Sequence, residues 1–148
     1  MRKRKSENFD AVIFDWGGVI STGGTPDEAG ASISRALDIT LIEAADFVRK
    51  YSGRLKRGEI DEIQFMSDIC KDLGIEMKDS FNSVWPGAEH FRPNDDVLEF
   101  IDELSESGYL VGVLSNTFPA TARAIRGQGW YDQFDAVATS SDDGFAKT

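Results

Sequence analysis

Three short runs of β-branched and aromatic residues, at 9–14, 109–114 and 134–139, constrain this 148-residue chain more than any other feature. Each is short and almost continuously apolar, which reads as a buried strand rather than a helix. The first runs into Gly17-Gly18, the second into Ser115-Asn116-Thr117, and the third into Ser140-Ser141-Asp142-Asp143-Gly144. Between them the period changes. Val97, Leu98, Ile101 and Leu104 recur at helical spacing over 94–107, with Gly108 placed to end the helix, and Ala120, Ala122, Ala124 and Ile125 favour a helix over 119–127. Strand, helix, strand, helix, strand implies an α/β fold whose parallel sheet is joined by right-handed crossovers.

The stretch 21–92 has another texture. Helical patterns at 27–37, 41–55, 60–73 and 78–84 are separated by glycine or polar breaks, and the sequence predicts no strand among them. The expected organisation is a frayed basic tail at 1–8, an α/β core at 9–20 and 93–148, and an inserted helical module at 21–92 set over one edge of the sheet.

Sixteen Lys and Arg stand against 26 Asp and Glu, a net charge of -10, so the summed field repels polyanions. Nucleic acid and anionic membrane are not expected as partners. The apolar run after the basic start, 11–14, is too short for a signal peptide or a membrane span. A single cysteine, Cys70, excludes an internal disulfide, and a cytoplasmic location is the expectation.

In an open α/β sheet, ligands bind beyond the carboxyl ends of the strands. Asp15 follows the first run, Ser115 and Asn116 follow the second, and Lys147 lies in the loop after the third. A carboxylate that can act as nucleophile and metal ligand, turn N–H groups that face an oxyanion, a hydroxyl and an ammonium together suit phosphoryl transfer.

Those residues carry a family resemblance. The string from Ala11 through Asp15 and Gly17-Gly18 to Ile20 resembles the first motif of the haloacid dehalogenase (HAD) superfamily, an apolar strand ending in a nucleophilic Asp. Val113-Leu114-Ser115-Asn116-Thr117 is similar to the second motif, and the run from Ser140 to Lys147 to the approach to the third. Lys56-Arg57-Gly58-Glu59-Ile60 is similar to a helix junction in the small helical cap of the phosphatase-like subfamily. The resemblance implies a HAD-like, Rossmann-like three-layer core with the 21–92 module as its cap. It implies a Mg²⁺-dependent phosphatase acting on a small phosphorylated metabolite. Asp15 would attack phosphorus to give an aspartyl-phosphate. Ser115, Asn116, Lys147 and the backbone N–H groups of Trp16 and Gly17 would hold the phosphate, while the Asp15 carboxylate and the Gly17 carbonyl would hold the metal. The cap would close over the substrate and select it. The Trp16 side chain either lines the way in or packs in the core.

Two departures qualify that expectation. Gly17 stands where many family phosphatases carry a second Asp as general acid and base, help worth typically about 10² to 10⁴ in rate. The sequence ends at Thr148, directly after Lys147, where the family pattern would continue through a further helix, a fourth strand and an acidic pair that ligates Mg²⁺. The chain is therefore expected to be C-terminally truncated, to hold Mg²⁺ weakly, to leave Lys147 without its supporting framework, and to keep Asp142 and Asp143 as loop acids rather than substitute ligands. The first strand becomes an edge, and homo-oligomers through it are expected. The rival readings are a catalytically silent scaffold that binds a phosphorylated ligand or a partner protein, and a 2-haloacid dehalogenase. The second lacks the Tyr expected at position 17 and an Arg for the carboxylate. A receiver-type phosphoacceptor domain would lack the long helical insertion. His90 reads as a hinge residue, and Cys70 as a small buried hydrophobe.

Overall fold

A computed structural model describes residues 9–85 and 87–148; the basic tail at 1–8 lies outside them. In chain order the elements are β1 (Ala11–Phe14), β2 (Ser21–Thr22), α1 (Pro26–Leu37), α2 (Leu41–Lys56), α3 (Glu62–Leu73), β3 (Arg92–Pro93), α4 (Asp95–Glu106), β4 (Leu110–Ser115), α5 (Pro119–Gly127), β5 (Ala136–Thr139) and the single turn α6 (Ser140–Asp143). No described helix is long and apolar enough to cross a membrane.

β1, β4 and β5 form a parallel sheet in the order β1-β4-β5. Phe14 lies opposite Val113, and Ser115 opposite Thr139, so the three carboxyl ends finish together. Both crossovers step in the same direction across the sheet. Their common right-handedness therefore puts α4 and α5 on the same face. There Val111 and Val113 pack with Ile101 of α4 and Ile125 of α5. Strand alternation turns the next residues the other way, and Ile13 (68%), Leu110 (57%) and Leu114 (43%) stand exposed.

Among the described residues β1 is thus an edge strand beside an apolar face, the arrangement that invites another chain. The expected result is concentration-dependent self-association in the micromolar range, weakened by Ile13→Lys. A light-scattering mass that stays monomeric across that range would refute it.

The insertion is built from well-marked helices. Thr25 with Glu28 and Thr40 with Glu43 make reciprocal capping boxes at the starts of α1 and α2, and the Asp61 side chain caps α3. Gly74, at φ 66°, ends α3 in a left-handed cap. Ile33, Val48, Leu55, Phe65, Met66 and Ile69 bury one apolar cluster, joined from the core side by Phe118. Cys70 is buried in it, and desolvation raises its thiol pKa.

Several sequence expectations need adjusting. β1 begins at Ala11, not Phe9, which is exposed; β4 runs to Ser115, and β5 begins only at Ala136. The expected helix at 78–84 is a 3-10 segment, Asp79–Ser83. The module was expected to hold no strand, yet β2 pairs antiparallel with β3, Ser21 opposite Pro93. Two-residue strands carry no alternation that a sequence pattern can show. This ribbon ties the outgoing and returning connections together, and Asn94 N–H reaches the Ile20 carbonyl at 2.8 Å. Gly23, at φ 84°, lies under the His90 carbonyl so closely that a Cβ there would stand 1.7 Å from its oxygen.

Tyr131 supplies a pH probe of the core. Its ring meets Trp16 edge-on at 5.2 Å, and its buried hydroxyl has no hydrogen-bond partner among the described residues. Burial penalises the phenolate and pushes its pKa up to about 12. A pKa raised above the unfolded value of about 10 leaves stability intact below pH ~10 and removes it as pH climbs towards 12, by roughly 3 kcal/mol. Tyr131→Phe is expected to remove this alkaline loss while changing stability little at pH 8, as urea midpoints at pH 8 and 11 would show.

Candidate active site

The site forms where the three parallel strands end. Asp15 follows β1, and its Oδ2 lies 2.9 Å from Lys147 Nζ. That ammonium also donates to the Leu114 carbonyl at 3.0 Å. The lysine is held by its backbone as well: Asn116 Nδ2 donates to the Lys147 carbonyl at 2.8 Å, and Lys147 N–H donates to Asn116 Oδ1 at 2.9 Å. This two-way bond acts like a short piece of ladder between residues 31 apart. Lys147, expected to lack a supporting framework, is held by this bond, and the Asn116 side chain uses both its polar atoms on the lysine backbone.

Ser115 is buried at the end of β4 and lines the same cavity as Gly17 and Asn116, and its hydroxyl makes no hydrogen bond to the described residues. The loop behind it is clasped to α6: Thr117 N–H donates to Ser140 Oγ at 3.0 Å, and that hydroxyl donates to the Thr117 carbonyl at 3.2 Å.

After Asp15 the chain turns sharply. The Trp16 carbonyl accepts from Ile20 and Ser21 N–H, each at 3.0 Å, and Gly18, at φ 75°, donates to the Ser21 carbonyl at 2.8 Å. Gly17 bridges to Ser21 through its neighbours' groups, which leaves its own N–H and carbonyl outside the ladder. Trp16 lines the cavity described below, and its side chain packs in the core. It is buried, stacked on Trp130 at 6.1 Å, and anchors the turn into the core.

A cavity of about 340 Å³ opens over this turn. Gly17, Ser115 and Asn116 form its polar side, Phe91 and Phe118 its apolar walls, and Lys56 reaches it from α2.

Sequence reasoning missed Glu62. This carboxylate at the start of α3 is buried and reaches across to the core, accepting from Ala120 N–H and from Arg123 Nη2, the latter at 2.8 Å. α5 has no side-chain cap of its own, so a residue of the insertion caps it. Glu62→Ala leaves the Ala120 amide unsatisfied while exposed Arg123 rehydrates. A loss of about 2 kcal/mol is expected, read from the urea midpoint. The only local signal was an acid in a helix's first turn, which would read as dipole compensation alone.

Asp142 and Asp143 do not face the site. Asp142 pairs with Arg126 and accepts from Thr139 Oγ1 at 2.6 Å, and Asp143 accepts from Thr139 N–H at 3.0 Å. The Arg126 guanidinium holds the Asp142 pKa below the usual carboxylate range.

The donor set fits Mg²⁺ in part. The Asp15 carboxylate has an oxygen outside the Lys147 pair, and the Gly17 carbonyl is outside the ladder, two hard oxygens on one turn. Mg²⁺ keeps several waters and takes substrate phosphate oxygens, so such a pair can hold it. Among the described residues no group of three His, Cys, Asp or Glu would bind a metal on its own.

The profile of a hydrolase family, the haloacid dehalogenase-like hydrolases, matches residues 9–148. No curated protein matches the chain. Among solved structures, a HAD family enzyme of Bacteroides thetaiotaomicron superposes with a TM-score of 0.73 at 17% identity, covering 95% of this chain and 73% of that one. The same enzyme in complex with magnesium and inorganic phosphate gives 0.66 at 16% identity, with the same coverage. A HAD phosphatase from Thermococcus onnurineus gives 0.56 at 22% identity, covering 94% of this chain and 66% of that one. At these identities the structures show a shared fold.

Proposed function

The chain belongs to the haloacid dehalogenase-like hydrolases, and from that membership we propose that it hydrolyses a phosphomonoester of a small metabolite with Asp15 as nucleophile. The observation that carries the reading is the Asp15–Lys147 pair at the strand ends, with Lys147 fixed by Asn116. One Asp15 carboxylate oxygen attacks phosphorus while the other is left for the metal, the bond from phosphorus to the leaving oxygen breaks, and an aspartyl-phosphate forms. Water then attacks phosphorus, the bond to the Asp15 oxygen breaks, and inorganic phosphate leaves with the carboxylate restored.

Lys147 balances charge on the transferring oxygens, and Ser115 Oγ and the Gly17 N–H donate to them. Asn116 positions the lysine. Asp15 and the Gly17 carbonyl would hold magnesium, which would supply further charge neutralisation. Gly17 offers no side chain to protonate the leaving oxygen, so that proton comes from water, and substrates with good leaving groups are favoured. The helical insertion serves as the cap that covers the cavity and sets what fits. The magnesium and phosphate bound to the Bacteroides enzyme support this choice of ligands.

The test is hydrolysis of 4-nitrophenyl phosphate, whose leaving group needs little protonation. Turnover is expected with Mg²⁺ and a fall of at least about tenfold on adding EDTA. The absence of turnover above an Asp15→Asn control would favour the silent phosphate-binding scaffold, the reading that Gly17 supports.

A further inference from the structure

Five cations on α2 and its C-cap face a strongly acidic protein, and four have acidic partners. Arg49 pairs with Asp46 at 2.6 Å, Lys50 with Asp72 at 2.6 Å, Arg54 with Asp68 at 3.5 Å, and Arg57 with Glu59 at 2.6 Å. Lys56 differs. It is half-buried, it has no ion pair or hydrogen bond among the described residues, and it lines the cavity that Gly17 and Ser115 line from the sheet side. A half-buried ammonium with no ion pair among the described residues, in a cavity wall that Asp27 and Arg49 also line, is placed to meet an anionic ligand.

A second cavity, of about 260 Å³, adjoins the first, and Pro26, Lys56 and Phe118 line both. Lys56 therefore stands where the first cavity meets the second. Building on the phosphatase reading, the geometry points to Lys56 as the specificity residue for a second anionic group on the substrate, a carboxylate or a further phosphate, carried on the leaving group. The reacting phosphate sits against Ser115 and Gly17. A short, partly apolar spacer passes Phe118, and the second anion meets Lys56. In a protein of net charge -10 this local cation supplies attraction that the global field does not.

Binding of non-hydrolysable probes tests this without turnover. Calorimetry would compare propylphosphonate with 3-phosphonopropionate and with propane-1,3-bisphosphonate, in the presence of Mg²⁺, on the whole chain, Lys56→Met and Lys56→Arg. A charge-assisted contact is expected to favour a dianionic-ended probe over propylphosphonate by about tenfold or more. That ratio is expected to collapse towards one in Lys56→Met and to survive largely in Lys56→Arg, circular dichroism confirming that both variants are folded. Which of the two probes shows the larger ratio tells a carboxylate from a second phosphate. Equal affinities in the parent protein, no binding of any probe, or a preference that persists in Lys56→Met would each overturn the assignment. A Lys56-dependent preference without turnover of 4-nitrophenyl phosphate would sustain it and remove the phosphatase reading instead.

Discussion

Asp15→Asn is expected to abolish phosphatase activity, lowering kcat by on the order of 10³-fold or more, because a neutral amide can neither attack phosphorus nor share a metal as a carboxylate does. Folding should barely change. The Asp15–Lys147 pair is more than a third exposed on both side chains, 40% and 35%, where ion pairs contribute little net stability. Single-turnover kinetics with 4-nitrophenyl phosphate and a urea melt on the same preparation separate the two effects. Residual turnover within tenfold of the parent would remove Asp15 from the nucleophile's role, and a collapsed melt would make the variant uninformative about chemistry.

A large effect on stability is expected at Gly58, where the loop after α2 meets the core. Its φ of 65° lies in the left-handed region, and a Cβ would stand 2.0 Å from the Ser141 carbonyl oxygen. Gly58→Ala must therefore push the loop away from α6, at a cost of roughly 3 kcal/mol or more from backbone strain and overpacking together. Gly74 provides the control. Its φ of 66° is nearly the same, but its added Cβ would meet nothing within 4 Å. Gly74→Ala should lose only about 1 kcal/mol, from the left-handed conformation alone. The difference between the two urea midpoints isolates the contact. Equal losses would mean that the loop relaxes freely and that Gly58 does not clamp the insertion to the core. A raised KM with little change in kcat is expected alongside the stability loss, because the displaced loop follows directly on the helix that carries Lys56.

How much of this could be read beforehand follows from the range of each interaction. The sheet was legible because Val111, Val113 and their neighbours form contiguous β-branched runs, and the strand-end rule led from them to Asp15, Ser115 and Lys147. The family motifs carry the same residues in the same order, so pattern and resemblance agreed. Residues that act across long separations were not legible in that way. Glu62 meets residues 58 and 61 positions away, and neither its helix nor α5 announces the bond. Asn116 was placed at the right strand end, yet its partner, the Lys147 backbone, depends on how the terminal loop folds back. Lys56 lay inside a string that was noticed for its likeness to a cap junction. What marks it is the absence of a partner among the described residues, visible only once its neighbours' partners are known.

The bond from Glu62 to the start of α5 ties the helical module to the sheet layer at a second point, away from the β2–β3 ribbon. Were the helical module to swing away from the sheet, α5 would lose the carboxylate that completes its first turn, and the Ser115–Thr117 loop that feeds α5 would lose an adjacent anchor. Roof and floor would therefore loosen together. On the proposed phosphatase reading, ligand exchange would be a threshold event between a tight state and a slack one, the slack state binding phosphate poorly because its donors would no longer be fixed. Release of product and disorder of the phosphate loop would then be one kinetic step.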